Sequence, residues 1–205
     1  INKMELIDEP ALKKLGAAGI SRIGSDYVQV VMGPRAQDLA DELRAILGNQ
    51  PPVQVEIMVS PVSGVVIPLA EVEDDVFSRG LLGHGVAIRP AEQSPMVVSP
   101  CAGTVEKIFA GGHAIVLKNH AGNHILIHVG LDTVQLKGQG FAILTSSGAS
   151  IKPGDSLLEV AWPILRALNK DITTIVIFLD NDAKIWDVLT HGEVIAGEDT
   201  IAKKK

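Results

Sequence analysis

Two histidines in a predicted β-hairpin are the residues of this sequence best suited to chemistry. His113 opens one apolar segment and His128 lies near the end of the next, and the polar stretch between them ends in Gly122. This arrangement is typical of two strands joined by a tight turn. If the turn is centred just after His120, the two histidines face each other with Cβ atoms roughly 5 Å apart. A slip of one residue would move His128 to the other face of the sheet.

A facing pair of imidazoles is suited to carrying a phosphoryl group. A neutral imidazole is a good nucleophile toward phosphorus, and a second one within reach can donate to the phosphoryl oxygens. The sequence contains no Gly-x-x-x-x-Gly-Lys-Ser/Thr loop that would cradle nucleotide phosphates. The pair therefore favours phosphoryl transfer between proteins, with no cofactor. The alternative interpretation is that both histidines have only a structural role in their strands.

A zinc hydrolase is the competing chemical hypothesis, because histidines also bind metals. His84, His113 and His128 could supply three ligands, although no His-Glu-x-x-His motif is present. His124 and His128 share a strand face but are separated by roughly 13 Å along the strand. We therefore expect no catalytic metal. We expect His120 and His191 to be solvated.

Composition excludes several classes of function. The 205 residues carry a net charge of −6 and only 3% aromatics, so nucleic acid is not an expected partner. The single cysteine, Cys101, excludes an internal disulfide and a cysteine-based zinc cage. Apolar runs stay shorter than the roughly 20 residues of a membrane helix, and no secretory signal opens the chain. We expect a cytoplasmic protein.

The first part of the chain, residues 1–48, is predicted to mix helix and strand. A short helix is indicated over Glu9–Gly16, with proline in its first turn and glycine at its end. A strand is indicated over Tyr27–Met32, followed by an amphipathic helix over Ala36–Leu47. Residues 49–52, Asn-Gln-Pro-Pro, are predicted to form a linker.

Residues 53–205 change to short strands separated by glycine and proline turns. A Ser-Pro-x-x-Gly pattern recurs at Ser60 and Ser99. Such strand–turn units predict an antiparallel β-sandwich or barrel. Short helices are predicted at Asp74–Arg79, Pro163–Asn169 and Asp182–Thr190, the last capped by Asn181.

The segment that begins at His128 carries a specific resemblance. His128-Val-Gly-Leu-Asp-Thr-Val-Gln-Leu-Lys-Gly-Gln-Gly-Phe141 is nearly identical to the H-x-G-[IL]-D-T-V-x-L-x-G-x-G-F run of the enzyme IIA domain in the glucose family of sugar phosphotransferase systems. The similarity extends over residues 53–205. It implies an antiparallel β-sandwich with both histidines in a shallow apolar depression. It also implies that His128 accepts phosphate from the carrier HPr, that His113 stabilises it, and that a cysteine of a IIB domain receives it.

Residues 12–48 resemble the second half of that IIB domain. The Cys-x-Thr-Arg-Leu-Arg segment that carries the family's phosphocysteine is absent, and Cys101 does not replace it because it lies within the IIA-like part. The resemblance implies a parent polypeptide with a membrane IIC permease domain for glucose or N-acetylglucosamine. We expect this chain to be the cytoplasmic portion of an inner-membrane transporter. It would hold phosphate but not pass it to sugar unaided.

The sequence departs from the family pattern near the pair. Gly83-His84-Gly85 stands where the family has Gly-Asp-Gly, and Gly111-Gly112 replaces a Thr-Asn whose hydroxyl could orient His113, so a backbone group or water must substitute. Val129 stands where phenylalanine is common, which trims the apolar rim. We expect partner docking at Asp132, Val129, Leu131 and His84, and we expect Val129, Leu131, Ile115 and Phe141 to divide between contact patch and core.

Three functions follow in order of support. The first is a phosphocarrier for sugar uptake. The second is a regulatory interaction module whose phosphorylation state controls a partner, which the IIB-like segment disfavours. The zinc hydrolase is third.

Overall fold

The computed structural model describes residues 9–14, 16–23, 27–32, 56–180 and 186–204. The chain divides into two compact units, Ile1–Gln54 and Val55–Lys205. The predicted helix over Ala36–Leu47, the linker at residues 49–52 and the predicted cap Asn181 lie outside the described residues.

The described part of the first unit is a short helix followed by a β-hairpin. Helix α1 spans Glu9–Lys14, and strands β1 (Ala17–Ile23) and β2 (Tyr27–Met32) pair antiparallel. The predicted first helix and the predicted strand are both confirmed. Strand β1 was not predicted, because its small residues have weak β propensity and it forms by pairing with the β-branched β2.

The second unit is built from short strands, as the glycine and proline spacing predicts. In the part of this unit that the structure describes, two helices interrupt them, α2 (Asp75–Ser78) and α3 (Trp162–Ala167), together with 3₁₀ turns at Leu69–Glu71 and Thr133–Leu136. The strands are β3 (Ile57–Val59), β4 (Gly64–Ile67), β5 (His84–Pro90), β6 (Met96–Val98), β7 (Gly103–Ile108), β8 (Ala114–Asn119), β9 (His124–Val129), β10 (Phe141–Ile143), β11 (Ser150–Ile151), β12 (Ser156–Val160), β13 (Thr174–Phe178), β14 (Trp186–Val188), β15 (Gly192–Val194) and β16 (Thr200–Lys204).

Antiparallel pairing arranges these strands as a β-sandwich, which confirms the predicted fold. The large sheet has eight strands in the order β11-β7-β8-β9-β13-β5-β4-β15. Two three-stranded sheets, β10-β12-β6 and β14-β16-β3, complete the layers. The main core joins alternate residues of the large sheet to those of the small sheets, and it is mostly aliphatic apart from Trp162 and the stacked rings of Phe178 and Trp186, whose centres are 4.5 Å apart.

The large sheet also carries apolar residues on its second face. Along β9, Ile125, Ile127 and Val129 enter the main core, so alternation turns His124, Leu126 and His128 to the other side. We call this side the histidine face. Its buried cluster contains Ile67, Val72, Phe77, Ala87, Ala114, Leu126, Leu131, Ile175 and Ile177.

Two of the three predicted helices in this unit are confirmed, and the third is wrong in its described part. Helices α2 and α3 lie where Asp74–Arg79 and Pro163–Asn169 predict them. Within the predicted Asp182–Thr190 helix, Trp186–Val188 instead forms β14 and pairs with β16. Burial of Trp186 against Phe178 outweighs local helix propensity there. Among the described residues, the helices are too short or too polar to cross a membrane.

Candidate functional site

The hairpin that carries the two histidines pairs one residue away from the predicted register. His128 lies opposite Ala114, and Ile127 lies opposite Ile115. The turn closes with the Asn123 carbonyl accepting from the Asn119 amide, which leaves a three-residue loop that ends in Gly122 at φ +87°. A left-handed glycine as the third loop residue is a common hairpin solution. The predicted register, which assumed a shorter turn geometry, is therefore wrong.

The two imidazole rings meet despite the shifted register. Their centres are 5.5 Å apart, and the ring planes are inclined by 73°. His113 lies one residue before β8 and directly follows Gly111 and Gly112, whose φ angles are +87° and +78°. The His113 carbonyl still accepts from the Val129 amide at 2.8 Å, and the turn that the two left-handed glycines form precedes a His113 ring that lies on the face occupied by His128.

The backbone of the preceding loop orients His113. Its Nδ1 lies 3.2 Å from the Ala110 carbonyl oxygen, and since a carbonyl only accepts, Nδ1 carries the proton. The sequence predicts that a backbone group or water must replace the family's hydroxyl here, and a backbone carbonyl does so. His113 is 7% exposed, and this burial lowers its pKa, while the Ala110 carbonyl acts in the opposite direction.

His128 is held as a neutral imidazole. Burial, followed by the proximity of His113, lowers its pKa to about 4. The backbone of Gly130 and the carboxylates of Asp74 and Asp132 oppose the shift without cancelling it. The ring remains partly exposed, whereas its Nδ1 is buried. Nε2 is therefore the nitrogen through which this ring can react.

The turn after β9 explains part of the sequence pattern that follows His128. The Thr133 hydroxyl donates to the Val129 carbonyl at 2.6 Å and is fully enclosed. Asp132, just before it, adopts a left-handed backbone conformation with φ +54°. This turn brings the Asp132 carboxylate close enough to act on the pKa of His128.

The structure alters the predicted docking set. Val129 is 0% exposed in the main core and Leu131 is 8% exposed in the histidine-face cluster, so neither contributes a free docking surface. Strand alternation forces Val129 inward because its neighbour His128 faces outward. Ile115 also belongs to the main core, and Phe141 is partly buried and packs against that core. The four residues therefore belong mainly to the buried core rather than to an exposed contact patch.

His84 is not brought into contact with the pair. It begins β5 opposite Phe178, whereas Ala87 is the β5 residue level with His128, through Ile175 of β13. Three residues along a strand correspond to roughly 10 Å. The three-histidine zinc site is therefore not assembled, and the described residues contain no other group of His, Cys, Asp and Glu arranged to hold a metal.

Two residues of the site were missed from the sequence. Asp74 caps α2 by accepting hydrogen bonds from the amides of Val76 (2.8 Å) and Phe77 (3.0 Å). This cap fixes Phe77, whose ring centre lies 5.2 Å from that of His128. The cap itself is readable from sequence, but its position beside a histidine more than fifty residues away depends on the sheet order.

The lone cysteine is unsuited to chemistry. Cys101 is buried, and burial together with the charge of Glu56 raises its pKa to about 12, against a smaller opposing effect of the Ser99 hydroxyl. A thiol that stays protonated is a poor nucleophile.

Comparison with known proteins gives a consistent result. The family model described as "phosphoenolpyruvate-dependent sugar phosphotransferase system, EIIA 1" matches residues 56–184. The chain is 31% identical over 219 residues to the N-acetylglucosamine-specific EIICBA component of Klebsiella pneumoniae, and 29% identical over 217 residues to that of Escherichia coli K12. Each match covers 94% of this chain and 33% of the relative. The chain thus spans about a third of the length of these curated relatives.

A solved structure shares the sandwich. Glucose permease IIA from Mycoplasma capricolum superposes with a TM-score of 0.68 at 33% sequence identity. The match covers 74% of this chain and 97% of that one.

Proposed function

The chain belongs to the EIIA 1 family of the phosphoenolpyruvate-dependent sugar phosphotransferase system, and on this premise we propose that its histidine pair accepts and passes on a phosphoryl group. His128 is the acceptor and His113 stabilises the transferred group. The observation that carries the proposal is the 5.5 Å approach of the two rings, one of which stays neutral with a pKa of about 4. The donor is the phosphohistidine of HPr, and the acceptor is a cysteine of a IIB domain.

The first transfer uses the exposed side of His128. The lone pair of its Nε2 attacks phosphorus, the Nε2–P bond forms, and the N–P bond of the donor histidine breaks. Because the pKa of His128 is about 4, the ring is neutral near pH 7, and its Nε2 lone pair is free when the single ring proton is on the enclosed Nδ1. In the second transfer a cysteine thiolate attacks the same phosphorus, the S–P bond forms, and the Nε2–P bond breaks, which regenerates neutral His128.

His113 supports the phosphoryl group through its second nitrogen. Its Nδ1 proton is committed to the Ala110 carbonyl, so Nε2 of the neutral ring is a lone pair that would repel phosphoryl oxygens. His113 becomes a donor at Nε2 only by binding a further proton. The nearby phosphoryl dianion favours that proton, because an opposite charge raises the pKa of an imidazole. Phosphorylation of His128 is thus coupled to proton uptake by His113.

The relatives support a wider context for this proposal. Their names combine IIC, IIB and IIA parts, and this chain spans about a third of their length. We assign residues 53–205 to a IIA domain, residues 49–52 to a linker and residues 1–48 to the end of a IIB domain. The parent polypeptide would add a membrane IIC permease, for N-acetylglucosamine or glucose. Asp132 and the exposed His84 remain the proposed docking residues.

Labelling with enzyme I, HPr and ³²P-phosphoenolpyruvate tests the proposal. We expect acid-labile label on the wild-type chain and none on His128→Gln. His113→Gln should still accept label, but more slowly. His120→Gln alters an exposed histidine of the hairpin turn and should label normally. A wild-type chain without label, or undiminished label on His128→Gln, would contradict the assignment.

A further inference from the structure

A β-bulge in β7 changes the direction of one lysine. Val105 pairs with Leu117, but Lys107 pairs with Val116, so Glu106 is an extra residue in the ladder. Val105 lies in the main core, and strict alternation would send Lys107, two residues on, to that same core. The bulge instead places Lys107 level with Val116, which packs against the histidine-face cluster.

The lysine ammonium contacts the aromatic ring that lies next to His113. Its nitrogen lies 4.5 Å from the centre of the Phe109 ring, a cation–π contact. The Phe109 ring centre in turn lies 6.0 Å from that of His113. These two distances limit the separation between the ammonium and the His113 ring centre to about 10.5 Å.

The charges around the histidine pair indicate a role for the Lys107 ammonium. Asp74 and Asp132 both act on His128, and their negative charge disfavours a phosphoryl dianion there. Glu106, the other bulge residue, is engaged by the ring of His124, with Nε2 and Oε2 3.0 Å apart. Lys107 is exposed and is drawn to the aromatic ring that borders the pair.

We propose that Lys107 is a positioning residue that stabilises the phosphorylated state of the histidine pair, with Phe109 holding its ammonium in place. This inference rests on the proposed phosphocarrier function. It concerns the phosphoryl group itself rather than docking. The relevant quantity is therefore the equilibrium of phosphoryl exchange with HPr, to which the contacts of the transient complex do not contribute.

The experiment compares phosphoryl equilibria at fixed ratios of phosphorylated to free HPr. For Lys107→Met we expect the equilibrium constant to fall about threefold at low ionic strength and the difference to shrink in high salt. Lys107→Arg should restore the wild-type value, because it keeps the charge and the aromatic contact. Lys118→Met is the matched control: it removes an exposed lysine from β8, opposite His124, and should leave the equilibrium unchanged.

The outcomes separate this inference from its premise. A wild-type chain that takes no label would refute the phosphocarrier function. A labelled wild type whose Lys107→Met variant has the same equilibrium constant at low salt would overturn the role of Lys107 alone. Equal losses in Lys107→Met and Lys118→Met would also overturn it, since they would indicate a general charge effect.

Discussion

Mild acid should destabilise the second unit through His128. In the folded chain the pKa of His128 is about 4, whereas an unperturbed histidine titrates at 6.5. The unfolded chain therefore binds a proton that the folded chain refuses, and stability is lost as the pH falls below 6.5. The loss ends near pH 4, where the folded ring is protonated as well. Replacing His128 with glutamine removes this contribution.

The size of the effect follows from the pH interval over which the unfolded chain is protonated at His128 and the folded chain is not. Between pH 6.5 and pH 5 the contribution of His128 to the free energy of unfolding falls by about 2 kcal/mol, at 1.36 kcal/mol for each pH unit. His113 adds a shift in the same direction, because burial lowers its pKa too. A weaker pH dependence should thus persist in the His128→Gln variant.

Urea unfolding at pH 7, 6 and 5 measures this difference. The two tryptophans of the chain, Trp162 and Trp186, are both buried in the second unit, so their fluorescence reports on that unit. We expect wild type to lose about 2 kcal/mol more than His128→Gln between pH 7 and pH 5. His120→Gln, at an exposed turn position, should behave as wild type. Parallel pH profiles for wild type and His128→Gln would refute the reasoning.

Three further predictions concern single groups. At pH 7, phosphorylation by HPr should take up more protons in wild type than in His113→Gln, because the phosphoryl dianion raises the pKa of His113. An indicator dye in weak buffer measures this uptake, and equal uptake in both proteins would contradict the role of the Ala110 carbonyl. Thr133→Val should cost about 1–2 kcal/mol in urea unfolding because it leaves the buried Val129 carbonyl without its donor. The matched change Thr174→Val should be neutral or stabilising, because the Thr174 hydroxyl is buried without a partner among the described residues, and a comparable loss in both would contradict this account. Cys101 should react with a thiol reagent only after unfolding, and rapid reaction of the native chain would show that it is not enclosed.

Much of the second unit could be predicted from local sequence. Glycine and proline punctuation indicated a unit of short antiparallel strands, and the paired apolar arms located the hairpin. The register could not be predicted, because it depends on the left-handed turn at Gly122 rather than on the strands themselves. Strand β14 was missed because the local structure at Trp186 depends on its stacking against Phe178, a contact between separate elements.

The candidate site shows the same division. The histidine pair was predictable from residue type and approximate spacing. The burial of Val129 follows from strand alternation once His128 faces the site, and the expected docking role of Val129 overlooked this. The positions of Asp74 and Phe77 beside His128 follow from a sheet order that no local pattern contains. Long-range strand pairing thus determines which residues lie beside His128, and composition and periodicity do not reveal it.

The two glycines that precede β8 give the hairpin a property that a pleated strand alone would not have. On such a strand, side chains alternate between the two faces of the sheet. A change of pairing register would therefore also change which residue a histidine ring faces. Here the turn at Gly111 and Gly112 also contributes to the orientation of the His113 ring, although the His113 carbonyl still accepts a hydrogen bond from the Val129 amide. A Cβ at Gly111 would lie 2.7 Å from the Gly138 nitrogen, and one at Gly112 would lie 2.9 Å from Cγ1 of Ile143. A side chain at either position would therefore disturb this turn and, with it, the approach of the two rings.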